Sequence, residues 1–188
     1  MRRALIVVAA VVGAVCVLVL VVWAGGDSDA PAGPADGGAP AVPTPPADAQ
    51  PMRVRWVYDG DTAQLQAEGP GPHVTVTAPV DVRLIGVDTP ELRPTPQCHA
   101  QEATDALRSL LPEDTRVLVA PDRESWDDYR RRLFYVWRAD DALFVNHEIV
   151  AGGHGTAIRI WPNIAHLDLF RAAQADAEEA GLGLWAEC

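Results

Sequence analysis

The folded part of the chain begins with a β-strand pattern, RVRWVYDG at residues 53–60. Polar residues alternate with apolar or aromatic ones up to Tyr58, as in a half-buried strand, and Asp59 with Gly60 predicts a turn. Similar short patterns recur at residues 62–66, 73–77, 80–87, 116–120 and 133–137. Because Gly, Pro and Asp separate these patterns, we predict a sheet made mainly of antiparallel strands.

Helical periodicity appears in three stretches, at residues 97–111, 144–152 and 163–180. The first ends before Pro112 and the third at Gly181, as helices commonly do. Short strands interrupted and followed by helices favour an α+β fold, mainly β, in which helices pack against a small closed barrel. Residues 52–188 have the size of one domain.

The N-terminus predicts a membrane-crossing or export segment. Arg2 and Arg3 precede an uncharged, almost wholly apolar run at residues 4–24. As a helix, this run would span roughly 31 Å, which matches the core of a bilayer. We expect a transmembrane anchor with its N-terminus in the cytoplasm; the alternative is a signal peptide cleaved after Ala24. Either would place the domain outside the cytoplasm, anchored to the membrane or secreted.

Between this segment and the domain, residues 25–51 are rich in Pro, Ala and Gly, with Val42 as the only large aliphatic residue. Such a composition predicts a disordered linker, because it offers nothing from which to build a core. The linker would hold the domain away from a membrane, or it is a disordered leader without a spacing role.

The charge of the chain limits how it can bind polyanions. All 15 positively charged side chains are arginine, against 26 Asp and Glu, for a formal net charge of −11. This balance argues against a polybasic nucleic-acid-binding protein, since such proteins bind mainly by neutralising phosphates. Any contact with a polyanion must therefore be local, and the forked guanidinium group suits two-point contacts with phosphate.

The cysteines predict one disulfide. Cys16 lies in the apolar run, which leaves Cys98 and Cys188 in the exported domain. An oxidising compartment favours a bond between them; the alternative is two free thiols. Two cysteines make a poor zinc site, and the five histidines show no spacing typical of a transition-metal site.

Chemistry-bearing residues occur in three segments: DGDT at residues 59–62, RLIGVDTPE at 83–91 and DDYRRRL at 127–133. Asp61 and Asp88 are hard oxygen donors that suit Ca²⁺, and a turn carbonyl such as that of Thr89 commonly completes its coordination shell. Taken alone, the first segment is an ordinary turn sequence.

Three further side chains fit the same chemistry. Glu91 can orient or deprotonate a water molecule, while Arg83 and Arg131 face the charge that develops on a phosphoryl group. A metal ion, a base and two guanidinium groups together predict hydrolysis of a phosphodiester.

The order of these segments resembles the staphylococcal nuclease (thermonuclease) family over about residues 54–185. Beyond the three segments, the resemblance includes Leu133 with Tyr135, Asn146, Pro162 with Asn163, and residues 183–185. It implies an oligonucleotide-binding-type barrel of five strands with three packed helices. It also implies Ca²⁺-dependent endonucleolytic cleavage of DNA or RNA, which we expect from a monomeric catalytic domain.

The resemblance also implies a role for each position. The Ca²⁺ ligands would be Asp61, Asp88 and the carbonyl of Thr89. Catalysis and substrate binding would use Glu91 as general base, Arg83 and Arg131 at the phosphate, and Tyr129 as a hydrogen-bond donor to a substrate phosphate. Exported members of the family often carry a cysteine pair placed like Cys98 and Cys188.

One departure from the family pattern concerns the arginine triplet. Arg130 stands where the family commonly has glycine, and a positive φ at this position would strain it. The triplet also leaves the catalytic arginine ambiguous by one residue in either direction. Arg131 is preferred because it keeps Tyr129 and Leu133 in register.

A second departure concerns base stacking. Ile158 and Ile160 stand where the best-known member has two tyrosines that stack on the substrate base, and their absence would weaken binding. Two alternatives therefore stay open. One is a non-catalytic extracellular module that binds nucleic acid or another polyanion; the other is a surface domain in which Ca²⁺ only stabilises the fold.

Overall fold

The computed structural model describes residues 40–188, which contain seven strands and four helices. The strands are β1 (Gln50–Val57), β2 (Thr62–Ala67), β3 (Val80–Leu84), β4 (Val87–Asp88), β5 (Arg116–Ala120), β6 (Arg132–Arg138) and β7 (Thr156–Ala157). Five of them close into a barrel in the order β1-β2-β3-β6-β5, while β4 and β7 form a separate pair. The β3–β6 pairing is parallel and the other barrel pairings are antiparallel, so the barrel is mixed.

The helices are α1 (Ala100–Leu110), α2 (Val145–Ala151), α3 (Leu167–Glu179) and the single turn α4 (Leu184–Glu187). Their buried residues recur every three or four positions, as in α3, which buries Phe170, Ala173 and Ala177. A five-stranded barrel with three packed helices is the architecture that the sequence predicts, and the prediction of fold class is confirmed.

The strand predicted at residues 73–77 is wrong, because these residues form no strand. Val74 is buried, but its backbone bonds to the side chain of Gln50: Oε1 accepts from Val74 N at 2.7 Å and Nε2 donates to Val74 O at 2.9 Å. A side chain thus satisfies backbone groups that would otherwise need a neighbouring strand. Gln50 lies in β1, which begins inside the segment predicted as linker.

The single strand predicted at residues 80–87 is interrupted by a turn at Ile85 and Gly86. Gly86 has φ +78°, and a Cβ there would lie 2.5 Å from the ring of Phe170 in α3. Only glycine therefore allows both the backbone conformation and the contact with this helix. The turn directs Val87 and Asp88 out of the barrel to pair with β7, and so places the 88–91 segment at the barrel rim.

No helix within residues 40–188 is long and apolar enough to cross a membrane. The anchor predicted at residues 4–24 and most of the predicted linker lie outside the described residues. Both stay predictions.

Candidate active site

Asp61 connects the first two predicted site segments. It lies in the turn between β1 and β2 and is 3% exposed. Its Oδ1 accepts from Thr62 Oγ1 at 3.0 Å, while Oδ2 accepts from Thr89 N at 3.0 Å and Thr89 Oγ1 at 3.1 Å. The approach is close enough that a Cβ on Gly60 would lie 2.7 Å from Thr89 Oγ1. Two hydrogen bonds and this close contact therefore join the two segments.

Arg83 brings the two predicted carboxylate ligands together. Its Nη2 lies 3.1 Å from Asp61 Oδ2 and 3.0 Å from Asp88 Oδ1. Its Nη1 donates to the carbonyls of Leu84 and Val87. Arg83 is 8% exposed, so its side chain is held by four contacts in a largely dry environment. Both carboxylates thus converge on one point at the end of β3.

The site carries an excess of negative charge. Burial and the neighbouring Asp61 raise the pKa of Asp59. Partial desolvation, then the neighbouring Asp61 and Asp59, raise the pKa of Glu91, an effect that Arg83 partly opposes. Crowded carboxylate oxygens are the donor set that a hard divalent cation relieves, so the residues present fit such an ion. Asp59 was not predicted as a site residue, although its spacing two residues before Asp61 was a visible signal.

Glu91 and Arg131 line the same cavity. The cavity has a volume of about 480 Å³ and is lined by Asp81, Glu91, Tyr129 and Arg131. The backbone of Glu91 is fixed from both sides by Gln97: the Glu91 N–H donates to Gln97 Oε1 at 2.7 Å, and Gln97 N donates to Glu91 O at 2.9 Å. The predicted base and the guanidinium group of Arg131 therefore border the same open space.

The structure separates the members of the arginine triplet. Arg131 Nε lies 2.7 Å from Asp127 Oδ2, and its Nη1 donates to Thr62 Oγ1 at 3.3 Å, the hydroxyl that binds Asp61. Arg132 instead packs its guanidinium 4.2 Å from the centre of the Trp126 ring. Of the two, Arg131 is the one that lines the cavity of Glu91. Its guanidinium lies 5.5 Å from the centre of the Tyr129 ring, and that residue is 82% exposed.

Arg130 has φ +64°, so the strain expected for a non-glycine residue at this position is present. We predict that Arg130→Gly raises the free energy of unfolding by about 0.5–1 kcal/mol, because glycine adopts this conformation without steric cost. Urea denaturation measures the change. Arg130→Ala is the matched control, since it removes the side chain but keeps the strain. Equal stability of the two variants would contradict this account.

Two residues of the family motif, Asn146 and Asn163, hold the fold together rather than contribute to the site. Asn146 is fully buried: its Oδ1 accepts from Val136 N, and its Nδ2 donates to the carbonyls of Ile85 and Phe134. Asn163 similarly binds the backbone of Arg123 and Glu124. Both asparagines fasten helices or loops to the barrel and lie in neither cavity that Glu91 lines.

Two of the histidines, His99 and His154, lie in a side-chain cluster near the C-terminus that their spacing in the sequence did not indicate. Cys98 and Cys188 form a disulfide. Beside it, His99 Nδ1 lies 2.8 Å from Glu187 Oε2, and His99 Nε2 lies 3.0 Å from His154 Nδ1. The available signal was indirect, because joining the two cysteines brings their sequence neighbours together. Within the described part of the chain, His99, Glu102 and Glu187 are the group of three acids and histidines whose ligand atoms all lie within 4.8 Å of one another.

Comparison with known proteins identifies the family of this chain. The family model for "Staphylococcal nuclease homologue" matches residues 81–187. A thermonuclease of Staphylococcus intermedius is 35% identical over 70% of this chain and 74% of its own length, and one of Staphylococcus hyicus is 30% identical over 74% and 78%. Endonuclease YhcR of Bacillus subtilis is 31% identical over 70% of this chain but only 11% of its own length. The chain belongs to the staphylococcal nuclease family.

Proposed function

We propose that this protein is a Ca²⁺-dependent endonuclease that hydrolyses phosphodiester bonds of DNA, RNA or both. The observation that carries the proposal is the convergence of Asp61 and Asp88 on Arg83, beside a cavity lined by Glu91 and Arg131. The names of the related thermonucleases and endonuclease support a nuclease activity. We further propose that a monomeric domain acts outside the cytoplasm, anchored through residues 4–24 if these are not cleaved.

The proposed reaction uses this chain's own residues in separate roles. Glu91 takes a proton from a water molecule as the water oxygen attacks phosphorus. The bond from phosphorus to the leaving oxygen breaks, and this oxygen takes a proton from solvent water to leave as an alcohol. Its raised pKa makes it a stronger base than an ordinary glutamate. Arg131 and Arg83 stabilise the charge that develops on the phosphoryl oxygens, and Tyr129 donates a hydrogen bond to a phosphate.

Asp61, Asp88 and the Thr89 carbonyl would hold the metal ion. When bound, Ca²⁺ would supply positive charge that polarises the phosphoryl group. Asp59 adds negative charge beside these donors. Because all the donors are oxygens, the site favours a hard cation over a transition metal.

Removal of calcium tests the metal assignment. We predict that chelation with EGTA lowers the rate at which the full chain cleaves a labelled single-stranded oligonucleotide by at least about 10-fold, and that added Ca²⁺ restores it. Asp88→Asn should weaken Ca²⁺ binding in a calorimetric titration, whereas Asp168→Asn on the exposed face of α3 should not. Equal cleavage rates with Ca²⁺ and with chelator would overturn the metal assignment.

A second candidate function is a non-catalytic module that binds nucleic acid, favoured by Ile158 and Ile160 in place of stacking aromatic residues. The same assay separates the two functions. Binding of the oligonucleotide without any cleavage over hours in Ca²⁺ would support the module and contradict the nuclease.

A further inference from the structure

A second cavity lies on the other side of Glu91. It has a volume of about 390 Å³, within the range of small-molecule sites, and it reaches from the first strand to α1. Its lining residues are Trp56, Tyr58, Asp59, Glu91, Leu92, Arg93 and Arg108. Glu91 also lines the cavity that contains Tyr129 and Arg131. The predicted base therefore stands between two hollows, and the function proposed above uses only one of them.

The second cavity, called here the Trp56 cavity, contains two exposed aromatic rings. Trp56 is 57% exposed and Tyr58 is 41% exposed, although both are large apolar side chains. Trp56 lies in β1 and Tyr58 directly follows this strand; because they are two positions apart, both lie on the outer face of the barrel. Exposed aromatic faces in a concave surface are suited to stacking against flat ligands.

Tyr58 is held in place before any ligand arrives. Its hydroxyl donates to Asp81 Oδ1 at 3.0 Å and accepts from Gln64 Nε2 at 3.0 Å. Asp81 also lines the cavity of Tyr129. The two hollows thus share a fixed wall, and ordering this ring on binding would cost little entropy.

Two arginines line the Trp56 cavity together with the acids Asp59 and Glu91. Arg108 lies 3.1 Å from Asp105, and the side chain of Arg93 forms no hydrogen bond or ion pair within residues 40–188. Aromatic rings together with arginines form the usual surface for single-stranded nucleic acid, in which bases stack while cations contact phosphates. Such local contacts are also the kind available to a chain whose net charge is −11.

We propose that the Trp56 cavity is a second nucleoside subsite, which stacks an unpaired base on Trp56 while Arg93 contacts the adjoining phosphate. The inference rests on the proposed nuclease function. A phosphodiester linkage inside a strand carries one nucleoside on each side. Because the general base Glu91 lies between two cavities, each cavity can hold one of these nucleosides. Stacking on Trp56 requires an unpaired base, and single-stranded substrates are therefore preferred over duplexes.

Trp56→Ala tests the subsite through kinetics. We predict that it raises KM for a single-stranded oligonucleotide about 10-fold, because stacking on an aromatic side chain contributes to the binding of each base. Trp56→Phe should retain most of the affinity. Trp126→Ala is the matched control, since Trp126 is 51% exposed but does not line the cavity.

A binding measurement separates failure of the subsite from failure of the nuclease. In the Glu91→Gln background, fluorescence anisotropy of a labelled oligonucleotide should show about 10-fold weaker binding when Trp56→Ala is added. This result supports the subsite even if the wild-type protein shows no turnover. Unchanged binding and KM in Trp56→Ala, or an equal change in Trp126→Ala, would overturn it, while cleavage by the wild type would leave the nuclease standing.

Discussion

Glu91→Gln is expected to lower kcat for oligonucleotide cleavage by about 10²- to 10⁴-fold, the usual contribution of a general base. The amide has nearly the same shape but cannot accept the proton of the attacking water. The free energy of unfolding should change little, because Glu91 is exposed and its fixed contacts to Gln97 are made by the backbone. Steady-state kinetics at saturating Ca²⁺ and urea denaturation measure the two quantities.

Two controls make this result specific to the proposed role. Glu179→Gln removes an exposed charge at the end of α3, outside both cavities, and should leave kcat unchanged. The calcium affinity of Glu91→Gln should stay within a few fold of wild type, because Glu91 is not among the proposed ligands. Full activity in Glu91→Gln would refute the base assignment, and a large loss of calcium affinity would make Glu91 a ligand instead.

The second large effect concerns the disulfide between Cys98 and Cys188, which joins residues separated by 90 positions. Replacing both with alanine is expected to lower the free energy of unfolding by about 4–5 kcal/mol, because the unfolded chain regains the entropy of a long closed loop. Urea denaturation of the full chain measures the loss. Wild-type protein treated with reductant should show a similar loss.

Noncovalent contacts beside the disulfide indicate that the native fold does not depend on the covalent bond alone. His99 binds Glu187 and His154 along the same seam, and these hydrogen bonds can persist without the covalent bond. The double variant should therefore keep its native fold at low temperature. Cys16→Ser leaves the bond intact and serves as the control. A loss smaller than about 1 kcal/mol would show that the unfolded chain remains compact, contrary to the entropy model.

Much of the architecture could be predicted from the sequence because the alternation in β1 and the spacing of apolar residues in α3 are local patterns. The errors came from contacts between distant residues. Nothing near residues 73–77 indicates that Gln50 will bond their backbone, and no local pattern shows that β3 and β6 run parallel. Similarly, only the three-dimensional fold distinguishes Arg131, which lines the cavity, from Arg132, which packs on Trp126.

Part of the candidate site could likewise be predicted from the sequence, and part could not. Asp61, Arg83, Asp88 and Thr89 lie in two short sequence segments, and residue type together with the resemblance to the family predicted their association. The Trp56 cavity was not predicted, because in the sequence Trp56 is only one residue of a strand pattern. Its pairing with Arg93 and Arg108 depends on where α1 packs.

The buried position of Arg83 determines which experiments on the two arginines can be interpreted. Its guanidinium is the internal counter-ion of Asp61, so a neutral replacement would strand a carboxylate in the protein interior and undermine folding along with activity. An inactive Arg83 variant would confound the two causes. Arg131 has a side chain that is 30% exposed, and its partner Asp127 would keep hydrogen bonds from the backbone N–H groups of Tyr129 and Arg131. Truncation of Arg131 should therefore disturb folding less than truncation of Arg83 and report more directly on chemistry.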